Sequence, residues 1–190
     1  MELYLIRHPR PQVAPGVCYG QTDLGLAEPA AEVAARLRPL LPADFTLHAS
    51  PLARARLLAE ALGTPRLDAR LQEIHFGDWE GRSFDEIGQP ALDAWAASPL
   101  DFAPPGGESP RQMAARAHAF LAELRAEAPP AAVVVAHGGP LRAIAGALLG
   151  LPPENWLGLD FACGEATRID LHDWGSVLRW FNRSGAGPAG

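Results

Sequence analysis

Apolar residues come in short runs along the chain, and the residues bounding each run set its predicted element. Leu3 to Ile6 is continuous and apolar, the pattern of a strand buried on both faces. Pro and Gly then mark a loop through Gly25. Pro29 to Leu41 carries Ala, Val and Leu at helical spacing, with Pro42 closing it. Phe45 to Ala49 reads as a second strand. Ser50 is the expected cap of a helix with Pro51 in its first turn, running to Leu62 and stopped by Gly63. Ser109 to Glu127 reads as a long amphipathic helix, and Ala132 to Ala136 is the purest strand signal. A helix over Pro140 to Leu149 comes next, closed by Gly150. Ala166 to Leu171 and Val177 to Phe181 read as two last strands around the turn Asp173-Trp174-Gly175.

Strands alternating with helices predict a three-layer α/β/α sandwich with a mainly parallel central sheet. The stretch 66–107 is irregular and rich in Trp, Asp and Pro. At about forty residues it is too long for a plain connection and is expected to be a lid-like insert. The organisation expected is one domain over 1–183 and a small-residue flexible tail over 184–190.

In such sheets ligands bind outside the carboxyl ends of the strands. The first strand ends in Arg7-His8. The second ends in His48-Ala49-Ser50, with Arg54 one turn into the helix after it. The Val-rich strand ends in His137-Gly138-Gly139, just before a helix. Any one of these His residues alone would read as structural; their convergence on one sheet edge is a stronger signal. Two guanidiniums form a permanently charged clamp for phosphate oxygens. The helix after Gly139 points its N-terminal amides at the same edge and adds anion affinity, and the glycines admit a ligand close to the backbone. Two imidazoles beside a phosphate suggest a nucleophile and a charge stabiliser. No metal is expected, because no HExxH-type pair occurs and the Arg pair would repel a cation. Hydrolysis also needs a proton donor, for which the insert offers Glu73, Asp78, Glu80 and Asp85. Residue types alone do not choose among them. Trp79 and Trp95 are placed either to stack on a heteroaromatic ring or to pack the insert.

Composition narrows the classes further. The chain has 190 residues and a net charge of −6, and all its 16 basic residues are Arg. Without Lys it cannot be a P-loop or Schiff-base enzyme. The acidic balance argues against nucleic acid, and no apolar run is long enough for a membrane span. Cys18 and Cys163 fit no CxxC pattern and are expected to stay reduced, in a cytoplasmic protein whose first residues do not form a signal peptide.

Four blocks, in order, resemble the histidine phosphatase (phosphoglycerate mutase-like) superfamily. They are Arg7-His8, Ser50 to Ala55, Leu71 to Gly81, and Val135 to Gly139. The resemblance implies that His8 is the phosphorylated nucleophile, that Arg7, Arg54 and His137 hold the phosphoryl group, and that Glu73 is the proton donor. It departs from the family at Pro9, where Gly is usual and an N–H is lost. It also departs at Ala14, where Asn is usual, and at Leu58, where Thr is common. Gln21 and Thr22 are the candidates to take over the missing donor role, with Gly138 as a further substrate contact. The segment 16–23 resembles the α-ribazole phosphatase branch, which removes a 5′-phosphate during cobalamin assembly. The expected function is therefore a phosphatase of a small phosphorylated metabolite, needing no cofactor, with a homodimer compatible. A mutase-type isomerase and a broad-specificity sugar phosphatase are the alternatives.

Overall fold

The computed structural model describes residues 1–185; most of the tail expected over 184–190 therefore lies outside the described residues. Six strands form one sheet in the order β3-β2-β4-β1-β5-β6. They are β1 (Glu2–Arg7), β2 (Thr46–Ala49), β3 (Arg66–Leu67), β4 (Ala131–Ala136), β5 (Ala166–His172) and β6 (Gly175–Arg183). β1 to β4 run parallel, while β5 and β6 form an antiparallel hairpin on one side.

The alternation of side chains along the central strands builds the layers. From β4, Ala132, Val134 and Ala136 face a core shared with Phe120 of α5 (Pro110–Glu127) and Ile144 of α6 (Gly138–Leu148). Val133 and Val135 face the opposite core, with Leu37 of α1 (Ala30–Leu37) and Leu58 of α2 (Ala53–Leu62). Because both faces are covered, β4 is buried along its whole length, as its uninterrupted apolar run predicted. The three-layer α/β/α architecture with a mainly parallel sheet is the one expected.

Three local expectations change. Ser50 does not cap α2: the helix starts at Ala53 after the extended Leu52, and the Ser50 hydroxyl is used elsewhere. The insert is not uniformly irregular, since its first residues, Arg66–Leu67, form β3 beside β2. It also carries α3 (Phe84–Ile87) and α4 (Gln89–Ala97). Here Ser83 and Glu86 make a reciprocal capping box, a signal present in the sequence. Pro90 lies in the first turn of α4, where its missing N–H costs nothing.

Candidate active site

β1, β2 and β4 end side by side, with Arg7 level with Ala136 and Ala49 level with Val135. The ladder continues one residue beyond each strand: the His8 amide donates to the Ala136 carbonyl and that of Ser50 to the Val135 carbonyl, both at 3.0 Å. Backbone pairing thus holds His8, Ser50 and His137 in a row at the carboxyl edge. The rings of His8 and His137 lie 4.9 Å apart between centroids, and both are buried. His8 Nδ1 is 2.6 Å from the Pro9 carbonyl oxygen. A carbonyl only accepts, so Nδ1 carries the proton and Nε2 the lone pair. Burial, opposed by that hydrogen bond and reinforced by Arg54 and Arg7, holds the His8 pKa down at about 3. Burial, then the neighbouring His8 and the two arginines, also pushes His137 well below the usual imidazole value. Both rings are therefore neutral at ordinary pH. His137 Nε2 lies 2.8 Å from the Ser50 hydroxyl.

The charge comes from arginine. Arg54, on the first turn of α2, is fully buried and donates to the backbone carbonyls of Thr22 and Gly20. Arg7 donates to the Phe161 carbonyl at 2.6 Å. Among the described residues, Arg7 Nε, Arg54 Nε and His137 Nδ1 are buried without a partner. Such atoms are costly unless an acceptor meets them, and an anion with several oxygens fits that need. Arg142 joins them: a Cβ built on Gly138 would lie 3.1 Å from Arg142 Nη1 and 3.6 Å from Arg7 Cζ. No cluster of three or more His, Cys, Asp or Glu side chains suited to a metal occurs among the described residues.

Glu73 reaches this edge from the insert. Its carboxylate accepts from the Gly139 amide, at 3.1 and 3.2 Å to the two oxygens, at the start of α6. A Cβ on residue 139 would sit 2.3 Å from Glu73 Oε1, so only Gly allows this approach. Arg116 of α5 fastens the segment. It donates to the carbonyls of Arg70, Gln72 and Glu73 at 2.6–2.9 Å and pairs with Glu108. Glu108 in turn accepts from the His75 amide. Glu80 is occupied differently. It accepts from the amides of Gln21, Thr22 and Phe76 and from the Thr22 hydroxyl. Burial alone would raise its pKa, but those hydrogen bonds outweigh it and hold the group below the usual carboxylate range. The Gln21 side chain donates to the Glu73 carbonyl. Gln21 and Thr22 thus spend these donors on tying the 20–22 loop to the Glu73 segment.

The histidine phosphatase superfamily (branch 1) matches residues 3–184. The chain belongs to that superfamily. A glucosyl-3-phosphoglycerate phosphatase of Mycobacterium tuberculosis is 39% identical over 160 residues, covering 72% of this chain and 70% of its own. A 2,3-bisphosphoglycerate-dependent phosphoglycerate mutase of Rhizobium etli is 32% identical over 166 residues, 80% of this chain and 78% of its own. The crystal structure of the α-ribazole phosphatase from Shigella flexneri superposes with a TM-score of 0.87 at 28% identity, covering 96% of each chain.

Within this histidine phosphatase, His8, Arg7, Arg54, His137, Gly138 and Glu73 all converge at the strand edge. Asp78 lies on the turn Gly77–Trp79 and Asp85 on α3, and among the described residues no hydrogen bond or ion pair joins either carboxylate to that edge; Trp79 is buried against Phe102. Residue reasoning missed Ser50 as the partner of His137, and it missed Arg116 and Arg142. Arg142 carried a usable signal, since it lies four residues after Gly138 and so shares its helix face. Arg116 carried none for this role, because the three carbonyls it holds lie more than forty residues away in the chain.

Proposed function

We propose that this protein hydrolyses small phosphate monoesters through a phosphohistidine on His8. The observation that carries the reading is the His8 ring: buried, neutral, with its Nδ1 proton given to the Pro9 carbonyl and its lone pair on Nε2. In the first step Nε2 attacks phosphorus in line, the ester P–O bond breaks, and the Glu73 carboxyl gives its proton to the leaving oxygen. In the second, water attacks the phosphohistidine, the P–N bond breaks, and Glu73 takes the proton from the water. Arg7, Arg54 and His137 hold the non-bridging oxygens throughout, so no cofactor is required. Gln21 and Thr22 act by holding the loop against Glu73.

The specific substrate proposed is α-ribazole 5′-phosphate. The likeness of segment 16–23 to the α-ribazole phosphatase branch and the Shigella flexneri structure support it. A brief incubation with substrate and a quench in base should trap phosphate on His8, and an acid quench should lose it. His8→Ala should then release no phosphate from any ester. A label on Ser50, or none at all, overturns the nucleophile. Following phosphoglycerate isomerisation with the same protein tests the mutase alternative, for which the expected result is no turnover.

A further inference from the structure

A cavity of about 260 Å³ opens directly beside the reacting edge. Glu73, Gly139 and Arg142 line it, and they belong together, because the Glu73 carboxylate is bonded to the Gly139 amide and Arg142 reaches back to Gly138. These groups mark the end at which the ester is cleaved. Much of the remaining wall is carbon: Phe76, Trp95, Leu100, Met113, Trp156 and Leu157. The wall is drawn from separate parts of the fold, with Trp95 on α4, Met113 on α5 and Trp156 in the turn Pro153–Gly158.

Trp156 is fixed before anything binds. Its indole N–H donates to the Leu151 carbonyl at 3.1 Å, and the ring lies so close over Gly146 that a Cβ there would meet Nε1 at 2.2 Å. The His118 ring packs edge-on at 5.7 Å. With its polar atom taken, Trp156 has only carbon left for a ligand. Trp95 and Leu157 are the opposite case, large apolar side chains left 38% and 72% exposed at the same cavity. An apolar ring would cover them and gain from it. A polyhydroxylated group would lose water from its hydroxyls against a wall that mostly offers no partner.

We propose that this cavity is the leaving-group site and that it selects an alcohol bearing an apolar, aromatic ring system, with Trp95 and Trp156 as its specificity-determining walls. The proposal rests on the assignment of phosphatase activity to this edge.

The test compares three primary alkyl esters, whose leaving oxygens make the same demand for a proton: ethyl phosphate, 2-phenylethyl phosphate and glucose 6-phosphate. The full chain should prefer 2-phenylethyl phosphate over both others in kcat/KM by about 10–10², the range a hydrophobic pocket can supply. Trp95→Ala should shrink that preference to a few-fold, and Trp95→Phe should keep most of it. Trp95 is partly exposed, so its removal does not open the core. Glucose 6-phosphate turned over as well as 2-phenylethyl phosphate would overturn the proposal, as would a full preference surviving in Trp95→Ala. If no ester released phosphate, and p-nitrophenyl phosphate were inert too, the phosphatase assignment itself would fall.

Discussion

His8 and His137 stand one residue beyond strands that are paired on both sides and covered on both faces, whereas Glu73 stands on a segment with only single 3₁₀ turns around it, at Ala69–Leu71 and Gly77–Trp79. To move either imidazole the central sheet would have to open, at the cost of core burial. Glu73 lies between two side chains buried in the core, Leu71 and Ile74, and its carboxylate is set by hydrogen bonds: those of Arg116 to three backbone carbonyls, of Gly139 to the carboxylate, and of Gln21 to the Glu73 carbonyl. One half of the site is positioned by strand pairing inside the core, the other by two buried anchors together with polar ties. The same reaction therefore depends on two kinds of order, which different substitutions should disturb separately.

The sharpest way to break that comparison is at Glu73. Glu73→Gln keeps the shape and removes the transferable proton, so hydrolysis of an alkyl ester should fall by about 10²–10⁴. p-Nitrophenyl phosphate, whose leaving group needs no proton, should lose much less in the first step, and phosphohistidine should accumulate. Equal losses on both esters would remove Glu73 as the donor. The same split seen in Glu80→Gln would reassign the role within the segment.

On the packed side, Arg54→Lys should cost about 10²–10³ in turnover on both esters alike, because an ammonium cannot reproduce the guanidinium fork. Near-normal activity of the Lys variant would take Arg54 out of contact with the phosphoryl group.

A smaller effect should come from Arg116→Met, which keeps the apolar stem and removes the donors. Slight displacement of Glu73 should lower alkyl-ester turnover by about 10–10². The alkyl-to-aryl split of Glu73→Gln should recur in weaker form; a uniform loss on both esters would mean that Arg116 only stabilises the fold.

The smallest expected signal is in stability against pH. An unfolded His takes up a proton near its ordinary value of 6.5, while burial keeps folded His8 neutral down to about 3. Between those values the unfolded chain binds more protons, so stability falls as pH drops through that window and is flat above it on this account. Thermal unfolding of the wild type should therefore show a steeper decline in Tm from pH 6.5 toward 4 than His8→Ala. Identical slopes would mean that His8 does not carry this linkage.

Most of the packed half was legible in the sequence. Uninterrupted apolar runs at Leu3 to Ile6 and Ala132 to Ala136 announce strands buried on both faces, and Arg7-His8 and His137-Gly138-Gly139 stand directly at their ends. The start of α2 was misjudged because Ser50 and Pro51 make a plausible cap, yet the Ser50 hydroxyl has a buried imidazole to meet. The inserted helices α3 and α4 are short and mostly solvent-facing, so neither shows the apolar stripe that marks a helix. Residue types showed the polar half only as a choice among four carboxylates, and it was the family resemblance that pointed to Glu73.

By itself, then, the sequence determined the layer architecture, the strand ends that carry His8 and His137, the helix that carries Arg54, and the superfamily, because these depend on local patterns and motifs read along the chain. Tertiary structure alone decided which carboxylate lies at the α6 N-terminus, which is tied up with Gln21 and Thr22, and which arginine reaches Glu73 from α5. Those outcomes depend on contacts between segments tens of residues apart. No spacing in the chain encodes them, and each is decided by which buried donor meets which acceptor once the core has closed.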